Sequence, residues 1–150
     1  MYNAAIDRLI HSWDDTFAHI SADRESAEAI EAYVCAKLTH AYENAAETRL
    51  FTNEILQGAE HLSRDTREHM RRVTVEKESV IDASAASGKI MPVDARHLFI
   101  LLWSATQFYV EFVALSRDAL DVDKLVEADY VKAAETITTT ILCGLLVNTA

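Results

Sequence analysis

Five polar side chains stand where helical periodicity calls for hydrophobes: Lys37, Glu54, Lys77, Thr106 and Gln107. Lys37 falls one heptad after Ile30, on the stripe that also carries Tyr33, Val34 and Leu38. Glu54 sits among Leu50, Phe51 and Ile55, and Lys77 among Val73, Val80 and Ile81. A buried charge is costly unless it is paired, so two chemistries are open. In one, the charges are structural: a pair such as Lys37 with Glu54, or lysine stems lying on the core with their heads in water. In the other, the polar groups converge on a pocket that holds a small ligand. Trp103 and Gln107, one turn apart, fit the second. An indole offers a flat stacking surface, and a primary amide both donates and accepts, matching a lactam or amide edge. The plain alternative makes Trp103 core and ties Gln107 to backbone. For Phe51, Tyr109 and Phe112, core or interface packing is the simpler reading.

Catalytic signatures are missing from the sequence. No Glu-x-x-His pair of the kind that builds di-iron sites in helical bundles occurs. His11, His19, His40, His61, His69 and His97 have neither zincin nor zinc-finger spacing. There is no glycine-rich phosphate loop and no nucleophile elbow. The sequence therefore predicts a binding protein rather than an enzyme, with no catalytic residue, metal ligand or cofactor. Lys37 with Glu54 is the one titratable pair that an enzymatic reading has to work with.

Positioning these residues falls to helices. The 150 residues are enough for one domain with a real core, and three glycines and one proline leave few turn signals. An all-α fold of six helices is predicted. The first spans about residues 3–20, with Ile6, Leu9, Ile10, Trp13, Phe17 and Ile20 inward. The second carries Ile30 to Ala41, and the third covers about residues 46–57 and stops at Gly58, a natural C′ residue. The fourth, about residues 63–87, is ended by Gly88. Residues 92–115 form the fifth, opened by Pro92 and capped by Asp94. The sixth runs over about residues 129–147.

The fifth helix is apolar nearly all the way round, so it needs cover on every side. In a chain this small, part of that cover is predicted to come from a second subunit. Cys35 and Cys143 show no metal or redox spacing and are expected to be buried fillers in a reduced, cytoplasmic setting. Net charge is −10, with 24 acidic against 14 basic residues, which argues against this chain gripping nucleic acid by itself. The basic run at residues 64–72 reads as a solvated face. The longest apolar run, residues 98–103, is too short to span a bilayer, and no membrane partner or signal peptide is predicted.

Several segments resemble a known family: RLF..E from Arg49 to Glu54 with Gly58-Ala59 following, Glu76-Lys77, SGK from Ser87 to Lys89, P.D..HL from Pro92 to Leu98, and W..TQ.Y..F from Trp103 to Phe112. In order and spacing they resemble the C-terminal, ligand-binding and dimerising domain of tetracycline-repressor (TetR) family regulators, and within it the uracil-responsive, pyrimidine-utilisation repressor type. The resemblance implies a homodimer joined through the last two long helices and a pocket inside each subunit. It places Trp103, Gln107 and Lys37 at pyrimidine-binding positions, with Phe51 and Glu54 lining or supporting the pocket; Lys77 completes the predicted ligand-binding set. Two departures stand out, around Ser84, where the relative has a tryptophan, and at Phe108, where it has a histidine.

The family's three-helix DNA-binding headpiece would precede the first helix. No helix-turn-helix is predicted within this chain, so DNA would be reached only through an N-terminal domain outside it. The leading expectation is the effector-sensing, dimerising half of a transcriptional regulator, binding a small, pyrimidine-like ligand. The alternative is a headless interaction protein that heterodimerises with an intact regulator.

Overall fold

The computed structural model of the chain describes residues 2–147. Among them are seven helices and no strand: α1 (Tyr2–Phe17), α2 (Ser26–Glu43), α3 (Ala45–Leu56), α4 (Arg64–Ala86), α5 (Ala95–Glu111), α6 (Val113–Leu120) and α7 (Glu127–Leu145). No single helix among the described residues is long and apolar enough to cross a membrane.

Local chemistry sets most of the boundaries. Glu25 accepts from the Ala27 and Glu28 N–H groups at the start of α2, and Asp94 accepts from those of Arg96 and His97 at the start of α5. These side chains satisfy donors that have no partner inside the helix. Ser63 does the same for α4, its hydroxyl accepting from the Thr66 N–H at 3.0 Å. Ser63→Ala is expected to cost about 1 kcal/mol of stability, measured by urea denaturation. At the C-termini of α3 and α4, Gly58 (φ 96°) and Gly88 (φ 75°) take the left-handed conformation that a side chain disfavours. The next residues, Ala59 and Lys89, donate back to the carbonyls of Glu54 and Ser84, which closes both helices in Schellman fashion.

Helix α2 lies at the centre, packed chiefly on α7, α5 and α1. Its inward stripe of Ile30, Tyr33, Val34, Leu38 and Ala41 meets Phe99 and Leu102 of α5 and Ala133, Ala134 and Ile137 of α7 in the main core. A smaller cluster of Ile6, Ile10, Ala59 and Leu62 is flanked by Trp13, Leu50, Phe51 and Met70. The link after α4 is tied to the end of α7, where the Met91 N–H donates to the Leu145 carbonyl at 2.7 Å.

Two expectations need correction. The stretch at residues 92–115 is not one helix, so the described count is seven instead of six. The chain leaves helical geometry at Phe112 (φ −118°, ψ 56°), and α6 departs from α5 at 89°. No glycine or proline marks the break. It is a tertiary choice that brings Val113 onto the core and buries Ser116, while Phe112 stacks on Phe108 with ring centroids 5.1 Å apart. The second correction concerns Cys35 and Cys143, which are both exposed. Cys35 follows Val34 in sequence, but the helical rotation carries it off the inward stripe.

Helix α5 buries one face only. Ala95, Leu98, Phe99, Leu102, Thr106 and Val110 point inward, whereas Ile100, Leu101 and Phe108 stay exposed. Phe112 and, on α6, Leu115 continue that exposed apolar row, and Val131 of α7 is exposed as well.

Candidate ligand-binding site

A cavity of about 830 Å³ lies at the seam between the two apolar clusters, within the range of pockets that hold small ligands. Ile10, Trp13 and Phe17 of α1 and Tyr33 and Lys37 of α2 enter it at three- and four-residue steps, each from one helix face. Trp103 and Gln107 come from α5, Phe51 and Ile55 from α3. Helix α4 supplies a further wall through Met70, Val73, Thr74 and Glu78.

Aromatic packing fixes the walls. Phe17 stacks on Tyr33 at 5.0 Å between ring centroids, Trp103 stacks on Phe99 at 6.0 Å, and Trp13 meets Phe51 edge-on at 4.8 Å. The Trp103 Nε1–H donates to the Tyr33 hydroxyl oxygen at 2.8 Å. That bond orients the indole and leaves its ring to face the cavity. Burial pushes the Tyr33 hydroxyl well above its ordinary pKa, against the opposing effect of the Trp103 hydrogen bond, so it stays protonated.

Lys37 is the electrostatic centre of the site. It is only 5% exposed, and its Nζ sits 4.7 Å from the centroid of the Trp13 ring, a cation–π contact. Burial lowers its pKa from 10.5 to about 8, partly offset by the Glu111 carboxylate on α5. Glu111 is in turn held by the Thr52 hydroxyl, which donates to it at 2.8 Å. Behind Lys37, His40 contacts the Ser12 hydroxyl at 2.6 Å, and burial together with the Lys37 charge lowers the His40 pKa.

Four of the six residues expected at a ligand site line this cavity: Lys37, Phe51, Trp103 and Gln107. Glu54 and Lys77 do not. Glu54 is 1% exposed, but its carboxylate faces the turn after α3, accepting from the His61 N–H at 2.7 Å and approaching His61 Nδ1 at 3.3 Å. Both its oxygens are thus engaged in fastening the Gly58–His61 turn, which departs from the Lys37–Glu54 pair considered above. Lys77 shares the α4 face of Met70 and Val73 but lies beside Glu76 at 3.4 Å and is not among the cavity walls. Thr106 turns back to donate to the Leu102 carbonyl at 2.8 Å.

Several wall residues gave no separate signal in the sequence. Trp13, Phe17 and Tyr33 read as core because a cavity wall and a packed core use the same periodic apolar stripe. Arg67 and Arg71, within the run taken for a solvated face, are exposed residues of α4 yet border the cavity, as does Arg96. Among the described residues no cluster of His, Cys, Asp and Glu is arranged to hold a metal ion.

Residues 6–148 match the pattern of the family described as YcdC-like protein, C-terminal region, within the TetR class. The chain belongs to the TetR family. Its relatives include the HTH-type transcriptional regulator RutR of Escherichia coli (strain K12), 29% identical over 112 residues that cover 75% of this chain and 53% of RutR. RutR of Shigella flexneri shows the same identity and coverage. This TetR-family chain therefore spans about half the length of the curated relatives it matches. Ser84 and Phe108, where the resemblance led to an expected departure from the relative, fall outside the cavity walls: Ser84 accepts from the Ser26 hydroxyl at 3.1 Å, and Phe108 is exposed.

Proposed function

We propose that this chain is the effector-sensing and dimerising part of a TetR-family transcriptional regulator, acting in the cytoplasm, and that it binds a small planar, pyrimidine-like ligand in the cavity between α1, α2, α4 and α5. The observation that carries the reading is the cavity itself, where an indole face, a primary amide and a buried ammonium meet in one apolar enclosure. Trp103 stacks on the ligand ring, Gln107 reads an amide-like edge, Lys37 meets a ligand oxygen, and Phe51 closes the α3 side. DNA is reached through an N-terminal headpiece outside this chain. Five cavity residues come from α1, so a ligand wedged there favours one placement of α1, and with it one arrangement of the headpieces, over another.

The exposed row of Ile100, Leu101, Phe108, Phe112 and Leu115 supports homodimerisation through α5 and α6 together with α7. Apolar side chains at helical spacing on one face make a surface that association covers.

Two sets of variants separate the functions. Trp103→Ala and Gln107→Ala are expected to weaken ligand binding by about 2 kcal/mol or more each, read by calorimetry with uracil and related heterocycles, and to leave a dimer in sedimentation. Leu101→Lys and Ile100→Asp are expected to give monomers that keep the cavity. Equal behaviour of the two sets would falsify this division of faces, and co-purification with a different DNA-binding chain in place of self-association would favour the heterodimer reading.

A further inference from the structure

We propose that the ligand of this cavity is an anion: a planar aromatic or heteroaromatic ring bearing a carboxylate, seated on the Lys37 ammonium. The inference rests on the ligand-binding reading above and specifies the chemistry of the guest.

Three side chains of the cavity keep donors that no described residue accepts. Lys37, nineteen-twentieths buried, makes no hydrogen bond or ion pair among the described residues, and its Nζ sits 4.7 Å from the centroid of the Trp13 ring. The Tyr33 hydroxyl accepts from Trp103 and gives its own hydrogen to no described residue. The hydroxyls of Thr16 and Thr74 donate to the carbonyls of Trp13 and Met70 and keep their oxygens as acceptors, whereas the Gln107 amide N–H groups are, like the donors of Lys37 and Tyr33, given to no described residue. A guest has to bring acceptors to these donors.

The charges point the same way. Four cations border the cavity, Lys37, Arg67, Arg71 and Arg96, against the two carboxylates of Asp14 and Glu78. Asp14 is already held by His69 at 2.7 Å. Arg67 donates to the Ala59 carbonyl and Arg96 to Asp94, so Arg71 is the rim guanidinium with no partner among the described residues. On a chain of net charge −10 this is a local reversal of sign, and a concave site lined by one sign concentrates counter-ions.

Glu111 offsets the Lys37 charge only in part and makes no ion pair with it. It is not a cavity wall, and it binds Thr52. A neutral guest would expel water from around the ammonium and leave the charge only partly compensated. A carboxylate would complete it with a short, charge-assisted bond.

The experiment is calorimetric titration of the purified protein with two matched pairs, uracil against orotate (its 6-carboxylate) and benzamide against benzoate. The same titrations are run on Lys37→Met, with a thermal melt to show that the variant is folded. At least one carboxylate is expected to bind about tenfold or more tighter than its neutral partner, and Lys37→Met to erase that preference. Neutral partners that bind as tightly as the carboxylates, or a preference that survives in Lys37→Met, overturn the charge assignment while leaving the ligand-binding reading in place. No heat from any of the four probes, with the protein folded, counts against both.

Discussion

Lys37→Met is expected to raise stability at pH 7 by about 1–3 kcal/mol, even as it removes a polar contact to the ligand. The lysine is buried, and its pKa is lowered from 10.5 to about 8 chiefly by desolvation. A depression of that size corresponds to roughly 3 kcal/mol held against the fold while the group is charged in both states. The sign follows from proton counting. Between about pH 8 and 10.5 the unfolded chain keeps a proton on Lys37 that the folded chain has released, so wild-type stability rises with pH through that window and is lowest, as far as this residue is concerned, below it. Methionine matches the stem of lysine and fills the space beside Trp13 without a charge. Urea denaturation of both proteins at pH 7, 8.5 and 10 provides the check: the advantage of the variant shrinks as pH rises. A wild type that is the more stable at pH 7 would mean that Trp13 and Glu111 fully compensate the ammonium. A residue that costs stability where it sits is what the ligand-binding role proposed for Lys37 would require.

Phe99→Ala is the substitution expected to do most damage. Phe99 is fully buried, stacks on Trp103 at 6.0 Å and meets Phe17 and Tyr33 edge-on at 5.3 and 6.4 Å. Truncation is expected to cost about 3–5 kcal/mol through lost burial and the hole left between α2 and α5. That is a large part of the margin of an ordinary domain. Because Phe99 backs the Trp103 indole, ligand affinity is expected to fall as well. The denaturation midpoint with an unchanged m-value measures the first effect, and titration below the unfolding transition measures the second. A loss under about 1 kcal/mol would show that the aromatic cluster closes over the gap.

Helix existence was legible because each signal is local. The stripe Ile6, Leu9, Ile10, Trp13, Phe17, the cap Asp94, and the stops at Gly58 and Gly88 each act within a turn or two of the chain. Lys37, Trp103 and Gln107 stood out for the same reason: each breaks or ends a pattern set by its own neighbours. Glu54 broke its pattern equally, yet its oxygens go to His61, seven residues on, and nothing near it in sequence says which way a buried carboxylate turns. Lys77 shares the face of Met70 and Val73 yet pairs with Glu76 away from the cavity walls, and periodicity within one helix does not say which residues of a face meet an empty volume. The bend at Phe112 has no local sign at all.

What the sequence determined by itself is the helical character of the chain, its family, and which residues interrupt the apolar stripes, because propensity, capping and period are properties of neighbours along the chain. The tertiary structure decided where those stripes fail to close. Five helices from distant parts of the sequence leave an enclosure walled by Trp13, Tyr33 and Trp103 around an ammonium, and bring Arg67 and Arg71 to its edge. Whether an inward side chain meets a partner or an empty volume depends on the distances between helices, and those are fixed only when all the faces pack at once.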